Sequence, residues 1–372
     1  MDMFLPSVPV IAQAFGAAPG AAQFTVTTYL LGLALGQLSW GPVSDRYGRK
    51  PVLLAGLGVF LVSSACGAAA ESVHELALLR FAQGAGMSCG PVVARSIVRD
   101  LYVREHAAHL LARMMAVFGV VPVAAPLLGG QAIVLGGWPA VFIVFSAIAL
   151  ALLAATGFGL LETAPAGRPS ISPARIAASY RVLFGDARFR ASLATMLLAQ
   201  LGIISFVTSS SLTMVRALHL TPSAFSLLFA AVMVGQISGG IVGSRLVVRL
   251  GVARMVRLGA ALALGGGLLL AALALAGVAH WSAVVLPMIL YLFGCSFLIP
   301  SATAAALSPF PQMAGAASSL LGALPFALGA AVSMGLAAAY DGTTRPMALA
   351  VAVFGAAAFL SEMLYFRNVL HG

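Results

Sequence analysis

Charge is what this sequence has least of: only 8% of its 372 residues are Asp, Glu, Lys or Arg, against about 25% in an ordinary soluble domain. That scarcity excludes a water-soluble globule, because too few groups are present to solvate its surface. Lysine is nearly missing, with Lys50 the single example, and Lys50 precedes Pro51. A phosphate loop needs a Lys followed by Ser or Thr after a Gly-rich turn, so a pump driven directly by ATP is excluded. Cysteine is equally sparse. Cys66, Cys89 and Cys295 are odd in number, far apart and set in apolar stretches, which supports neither a disulfide framework nor a metal cluster and makes them small core residues. No metal or other cofactor is expected.

What is present is apolar: 61% of the residues are hydrophobic and the mean hydropathy is +1.04. The 40 Gly and 19 Pro are not periodic and sit inside apolar runs, which removes collagen and disordered linkers and leaves an all-α integral membrane bundle. At about 20 residues per span plus a connection, this length holds about a dozen helices. Eleven complete spans are expected at 24–40, 51–70, 76–94, 110–134, 140–160, 193–215, 222–242, 258–278, 284–307, 316–340 and 346–365. Residues 1–11 supply only half a span, about 16 Å of helix against a hydrocarbon core of about 30 Å. With no basic n-region and no A-x-A site, they read as a truncated first helix, with Met1 not the functional start and about 10 to 15 further apolar residues encoded upstream.

The net charge of +10 would suggest nucleic acid in a soluble protein, but no basic face interleaved with aromatics exists, and nucleic acid is not an expected partner. The basic residues lie between the spans. If the loop with Arg46, Arg49 and Lys50 is cytoplasmic, alternation puts 17 of the 20 Lys and Arg residues on that side, including Arg95, Arg99, Arg104, Arg113, Arg168, Arg175, Arg245, Arg249 and Arg367. Only Arg216 and Arg345 face outward, and Arg80 lies within a span. Both termini are then cytoplasmic.

The longest connection, 162–190, divides the chain into 1–161 and 191–372, six spans each if the stump is counted. Within it Ser172 reads as an N-cap, Pro173 as the first helical residue and Gly185 as the stop, while Ile176, Tyr180 and Phe184 recur every four residues. A short helix on the inner membrane surface is expected. An internal repeat supports the division: Gly36-Gln37-Leu38-Ser39-Trp40-Gly41 in the second span matches Gly235-Gln236-Ile237-Ser238-Gly239-Gly240 in the eighth. Carried forward, that register sets Arg46 opposite Arg245, Lys50 opposite Arg249 and Asp45 opposite Ser244, so the acid exists in the first half alone. Two like halves around a midplane cavity are a transporter architecture.

Four segments carry chemistry. Gly41, Asp45, Arg46, Gly48 and Arg49 pack a turn, an acid and bases into one short loop, where Asp45 can hold an Arg or a neighbouring helix N-terminus in one conformation and release it in another. Arg80 lies about one turn inside the outer end of the fourth span, with Gln83 a turn deeper, and a charge inside a bilayer is a functional candidate. Gly119, Pro122, Pro126, Gly129 and Gly130 make the fifth span bent and closely packed. Asp2 falls near mid-membrane, about 20 Å below an outer end near Phe15. There desolvation raises a carboxyl pKa and a nearby cation lowers it, the condition for exchanging a proton against a solute. Gln83, Gln200 and Tyr291 are weaker cavity-lining candidates, as polar groups well inside spans. An enzyme is disfavoured: Gly86-Met87-Ser88-Cys89-Gly90 matches the nucleophile pattern G-x-S-x-G, but none of the six His residues lies in a span to serve as base.

These segments resemble those of the major facilitator superfamily. The 41–50 loop looks like its loop between the second and third helices. Leu79 to Gly86 and Gly119 to Gly130 look like the fourth- and fifth-helix motifs of drug:proton antiporters, although Ala125 stands where Gly usually precedes the Pro. Asp2-Met3-Phe4-Leu5-Pro6 looks like the first-helix signature of the Bcr/CflA branch. The resemblance implies a fold of two six-helix bundles, with protons and a drug-like small molecule as partners. It implies proton coupling at Asp2 and Arg80, a conformational latch at Asp45, Arg46 and Arg49, and an antiporter seam in the fifth helix. A monomer in the inner membrane of a bacterium, exporting amphipathic compounds by alternating access, is the expectation; a carrier of a natural metabolite on the same fold is the runner-up.

Overall fold

The computed structural model describes residues 1–101, 104–164 and 173–366, with the surroundings of residues 19, 99, 102–119, 165–173, 175, 311 and 365–372 left out. Ser172, Gly119 and the side chains of Arg99, Arg104, Arg113, Arg168, Arg175 and Arg367 therefore lie outside what is described. Among the described residues there is no strand. A 3-10 turn, Asp2–Ser7, leads into α1 (Val8–Ala14), followed by α2 (Pro19–Tyr47), α3 (Arg49–Ala68), α4 (Val73–Met87), α5 (Cys89–Leu101), α6 (Arg104–Gly159), α7 (Pro173–Gly185) and α8 (Ala187–Leu212). Then come α9 (Pro222–Leu275), α10 (Ser282–Leu307), α11 (Ala314–Ala338) and α12 (Arg345–Ser361), with π-turns extending α8 and α12. Among the described residues, seven helices are long and apolar enough to cross a membrane.

Two of these are double. α6 and α9 run 56 and 54 residues, roughly 80 Å of helix and far more than one bilayer. α6 breaks at Gly136 and Gly137, the latter at φ 70°, and α9 breaks at Gly251, φ 76°. Glycine tolerates this left-handed backbone without a Cβ clash. Each double helix thus contains two of the expected spans. The expected fourth span, 76–94, is instead two helices. α4 ends at Met87 and α5 starts at Cys89, because Pro91 has no N–H for the Met87 carbonyl and its ring crowds that group. Ser88, in the G-x-S-x-G pattern, donates to the Ala85 carbonyl at 2.8 Å and is buried; it is a residue of this joint.

Glycine decides how the helices pack. A Cβ on Gly36 would come within 2.8 Å of the Ala85 carbonyl oxygen on α4, and one on Gly235 within 2.7 Å of the Ile289 carbonyl oxygen on α10. The first copy of the Gly-Gln repeat therefore docks α2 on α4, and the second docks the first segment of α9, before Gly251, on α10. Gly259 and Gly294 face one another across α9 and α10, where a Cβ on Gly294 would sit 2.7 Å from the Gly259 carbonyl oxygen. Gly294→Val is expected to destabilise the folded protein by about 1–3 kcal/mol through overpacking. Thermal unfolding in detergent should show a lowered midpoint, whereas Gly240→Val, where a Cβ meets open space, should leave it unmoved.

At one end of the molecule α2, α8 and α11 close on each other: Thr27 Oγ1 donates to Ser333 Oγ at 3.1 Å and Gln23 Nε2 to Ser209 Oγ at 3.5 Å. At the other end, which carries the basic 41–50 loop, α2 and α11 part around a cavity. α7 closes the side of that cavity. Its packed stripe is Ile176, Tyr180 and Leu183, the last fully buried, while Phe184 is exposed. The expected period of four drifts by one residue here because a 3.6-residue turn brings i+7, rather than i+8, back to the buried face.

Candidate functional site

Two charged clusters lie at different depths. The first is built on α4. Arg80 is fully buried, so its guanidinium does not reach an interface. Its Cζ lies 4.0 Å from the centroid of the Phe4 ring and 4.1 Å from that of Tyr29, a cation held between two aromatic faces. Such a contact is worth about 2 kcal/mol when desolvated. Arg80 Nη1 donates to Gln83 Oε1, and Gln83 Nε2 donates to Ser64 Oγ at 2.6 Å. Arg80 Nε and Nη2 have no hydrogen-bond partner among the described residues. A buried guanidinium with two idle donors is expensive and is suited to receive an acceptor that comes and goes.

Asp2 opens the 3-10 turn, half-buried, within electrostatic reach of the Met1 amino group and Tyr29, which in turn interacts with Arg80. Met3, Phe4, Leu5 and Ser7 are buried, so this end of the chain is packed into the helices. What holds it there is the fifth-helix motif: a Cβ on Gly129 would collide with the Met3 backbone, and one on Gly130 would come 2.6 Å from Ser226 Oγ on α9. Pro126 is buried and Pro122 half-buried. Gly129 thus admits the first turn and Gly130 admits α9.

Gln83 belongs to this cluster. Tyr291 does not: it is fully buried among α8, α9 and α10, with its hydroxyl donating to the Ala199 carbonyl at 3.3 Å, in a slot where Gly202, Gly266 and Gly355 leave room. Gln200 is half-buried. Neither Tyr291 nor Gln200 borders the cavity at the basic end.

The second cluster centres on Arg49. Its Nη1 donates to Asp45 Oδ1 and, at 2.9 Å, to Ser44 Oγ, while its Nε donates to Asp100 Oδ2 at 2.8 Å. Its backbone N–H donates to Glu162 Oε1 at 2.9 Å. Gly48 sits at φ 103° beside the Glu162 carboxylate, where a Cβ would strike it, so both its backbone and its neighbour require glycine. Lys50 Nζ donates to the Gly157 carbonyl at 2.8 Å, at the end of α6. The cluster ties α2, α3, α5 and the chain after α6 together. Asp45 pairs here with Arg49. Arg46 points outward over Tyr47, and a Cβ on Gly41 would meet only Val92 Cγ1, at 3.9 Å. Ser244, the repeat partner of Asp45, is exposed and bonds back to the Ile241 carbonyl.

Asp100, Glu162, Phe4 and Tyr29 are the residues that sequence reasoning missed. A signal existed for the first two: they are two of only ten acids in the chain, and both fall at the basic ends of helices. For Glu162, burial pushes the pKa up, but the N–H groups of Ala164, Arg49, Thr163 and Lys50 outweigh it and hold the carboxyl below its ordinary range. A depressed folded pKa means the contribution is complete above the ordinary value near about 4.3 and is lost as the pH falls through the lower one. Cysteine accessibility at the basic end should therefore stay constant from neutral pH to about 4.3. Earlier loosening would remove Glu162 from the cluster.

The cavity at the basic end has a volume of about 360 Å³ and is bordered by Gln37 and Asp45 of α2, Arg95 of α5, Tyr180 of α7, and Gly315 and Ser319 of α11. Asp45 thus faces the first turn of α11 across it.

A family model described as Major Facilitator Superfamily matches residues 1–334. The chain is 30% identical to a bicyclomycin resistance protein homolog of Haemophilus influenzae over 98% of its own length and 91% of the relative's. It is 31% identical to multidrug resistance protein D of Escherichia coli over 87% of the chain and 80% of that protein. In fold it is similar to a D-xylose-proton symporter, with a TM-score of 0.81 at 15% identity over 98% of this chain and 93% of that one.

Proposed function

Because the chain belongs to the Major Facilitator Superfamily, and so is a multi-pass membrane transporter with bacterial relatives and not an enzyme, we propose that it exports amphipathic drug-like compounds in exchange for protons. Its relatives' names, bicyclomycin resistance and multidrug resistance, support the substrate class. The observation that carries the coupling is Arg80: fully buried, sandwiched between Phe4 and Tyr29, with two idle donors and with Asp2 in the same neighbourhood. A cation fixed in that position lets a carboxylate alternate between holding a proton and releasing it as solute binds.

Two six-helix bundles, 1–161 and 191–372, joined by the linker with α7, rock about the contact of α2 with α11. The basic end lies in the cytoplasm with both termini, in the inner membrane, and one chain suffices as the transport unit. The ends of α2, α8 and α11 that touch are then the outer ones, and the cavity opens inward. Closing it brings Asp45 onto the first turn of α11, whose N–H groups favour an anion, which is how the Arg49 cluster serves as a latch.

The test is a susceptibility panel in an efflux-deficient host, paired with counterflow of labelled compound in vesicles under an imposed pH gradient. Export that follows the gradient is expected. Resistance that persists when the gradient is collapsed would sink the proton exchange, and accumulation of compound instead of exclusion would sink the direction.

A further inference from the structure

We propose that the second-half loop at the basic end, from Arg245 to Arg254, is a docking surface for the anionic phospholipid headgroups of the leaflet on that side. The internal repeat points to it first. Its register sets Arg245 opposite Arg46 and Arg249 opposite Lys50, so both halves carry bases here, but the acids that hold the first-half bases are missing from the second. Ser244 stands opposite Asp45, and α10, which follows the second segment of α9 as α4 and α5 follow α3, has no acid anywhere in Ser282–Leu307. At the basic end of the second half only Glu362 remains, and it accepts from Arg257. Arg245, Arg249 and Arg254 are exposed and have no hydrogen-bond or ion-pair partner among the described residues.

The chain itself has too few acids to complete this loop. At the basic end Asp45 and Asp100 are held by Arg49, Glu162 by the Arg49 N–H and Asp186 by the Phe189 N–H. Glu105, which lies outside the described residues, is one carboxylate against three guanidiniums. The neighbours of the arginines favour a lipid over a soluble anion. Ile241 lies one turn before Arg245 and Leu258 one turn after Arg254, each exposed and each on the membrane side of its arginine, while Val248, beside Arg249, is 85% exposed. Gly251 breaks α9 between them at φ 76°, which sets both helix ends at one level of the membrane. Apolar side chains a turn deeper than a guanidinium match acyl chains beneath a phosphate, and the planar fork can bond two phosphate oxygens at once. Bilayer phosphates thereby take the place in this half that Asp45 and Asp100 hold in the other. The inference depends neither on what is transported nor on the direction.

The experiment uses the full chain in dodecyl maltoside, titrated with dioleoyl phosphatidylglycerol, dioleoyl phosphatidylcholine or inorganic phosphate, with the lipid bound per chain counted by mass spectrometry of the intact protein. Phosphatidylglycerol is expected to bind at lower concentration than phosphatidylcholine, which has the phosphate without the net charge, and to weaken as salt is raised. Each arginine near an anionic surface contributes a factor of about 5, so Arg245→Gln combined with Arg249→Gln should raise the half-saturating concentration of phosphatidylglycerol about 25-fold. The charge-matched pair Arg181→Gln and Arg188→Gln, exposed residues that flank Asp186 outside the loop, should leave it nearly unchanged. An unfolding midpoint equal to that of wild type without lipid confirms that each variant folds. Equal binding of the two lipids overturns the proposal by removing the role of charge, and equal losses in the two double variants overturn it by spreading that role over the whole basic face. Displacement of phosphatidylglycerol by inorganic phosphate at the same concentration also overturns it and assigns the loop to a soluble anion.

Discussion

Arg80→Ala should abolish proton-driven export, lowering transport by about 100-fold or more, the scale of a lost desolvated cation–π pair together with a charged hydrogen bond. Arg80→Lys should be milder, because an ammonium keeps the charge but not the planar fork that lies flat between Phe4 and Tyr29 and bonds Gln83. Asp2→Asn should also uncouple transport while leaving insertion intact, since the amide keeps the size but cannot titrate. Proton-coupled counterflow measures the loss, and a monodisperse elution profile in detergent confirms that each variant folds. Near-wild-type coupling in both Arg80→Ala and Asp2→Asn would move the proton site elsewhere. The buried Glu362, whose Oε1 accepts from Arg257 at 3.2 Å while its Oε2 has no partner among the described residues, is the group to examine next.

The second large effect is expected at Arg49. Arg49→Ala leaves Asp100 and Asp45 without their cation, and the Asp100 contact is the sheltered one: its side chain is 16% exposed, against 49% for Asp45. Charged hydrogen bonds in such a setting are worth about 1.5–3 kcal/mol each, enough to shift a two-state ratio by roughly 10- to 150-fold. Transport should fall steeply while compound binding persists, and labelling of a cysteine at the basic end should change by a similar factor. Asp100→Asn should follow Arg49→Ala closely. Asp45→Asn should act in the same direction but less, because water already shares its carboxylate, and Ser244→Ala should be nearly silent. Unchanged labelling in Arg49→Ala would reduce the cluster to a topology signal.

The sequence was most legible where the bilayer dictates the pattern. An apolar run of span length has one stable answer in lipid, since every backbone group must be bonded within its own helix. The repeat could be read as a sign of two like halves, but that its glycines Gly36 and Gly235 are points of close helix contact came from the structure. The Bcr/CflA-type resemblance rested on residues that can be read in a row, and it agrees with the family match over residues 1–334. Less legible were breaks and partners. The fourth span reads as continuous, yet Pro91 splits it, and the joints within α6 and α9 are breaks of two residues at Gly136 and Gly137 and of one at Gly251, where the sequence reads as longer gaps between spans.

By itself, then, the sequence determined that this chain is a helical membrane transporter, which end is basic, and which few polar residues were available for chemistry; composition and hydrophobic run length act locally and do not depend on how helices meet. Only the tertiary structure decided what those polar residues do together. That Arg80 is enclosed by Phe4 and Tyr29 instead of reaching an interface, that Arg49 takes Asp100 and the Glu162 carboxylate as well as Asp45, and that Gln37 borders a cavity walled by α7 depend on residues far apart in the sequence, Arg80 from Phe4 by 76 positions and Arg49 from Glu162 by 113. Their meeting is set by where glycine lets two backbones approach, and in a chain whose faces are nearly all apolar no periodicity marks which face that will be.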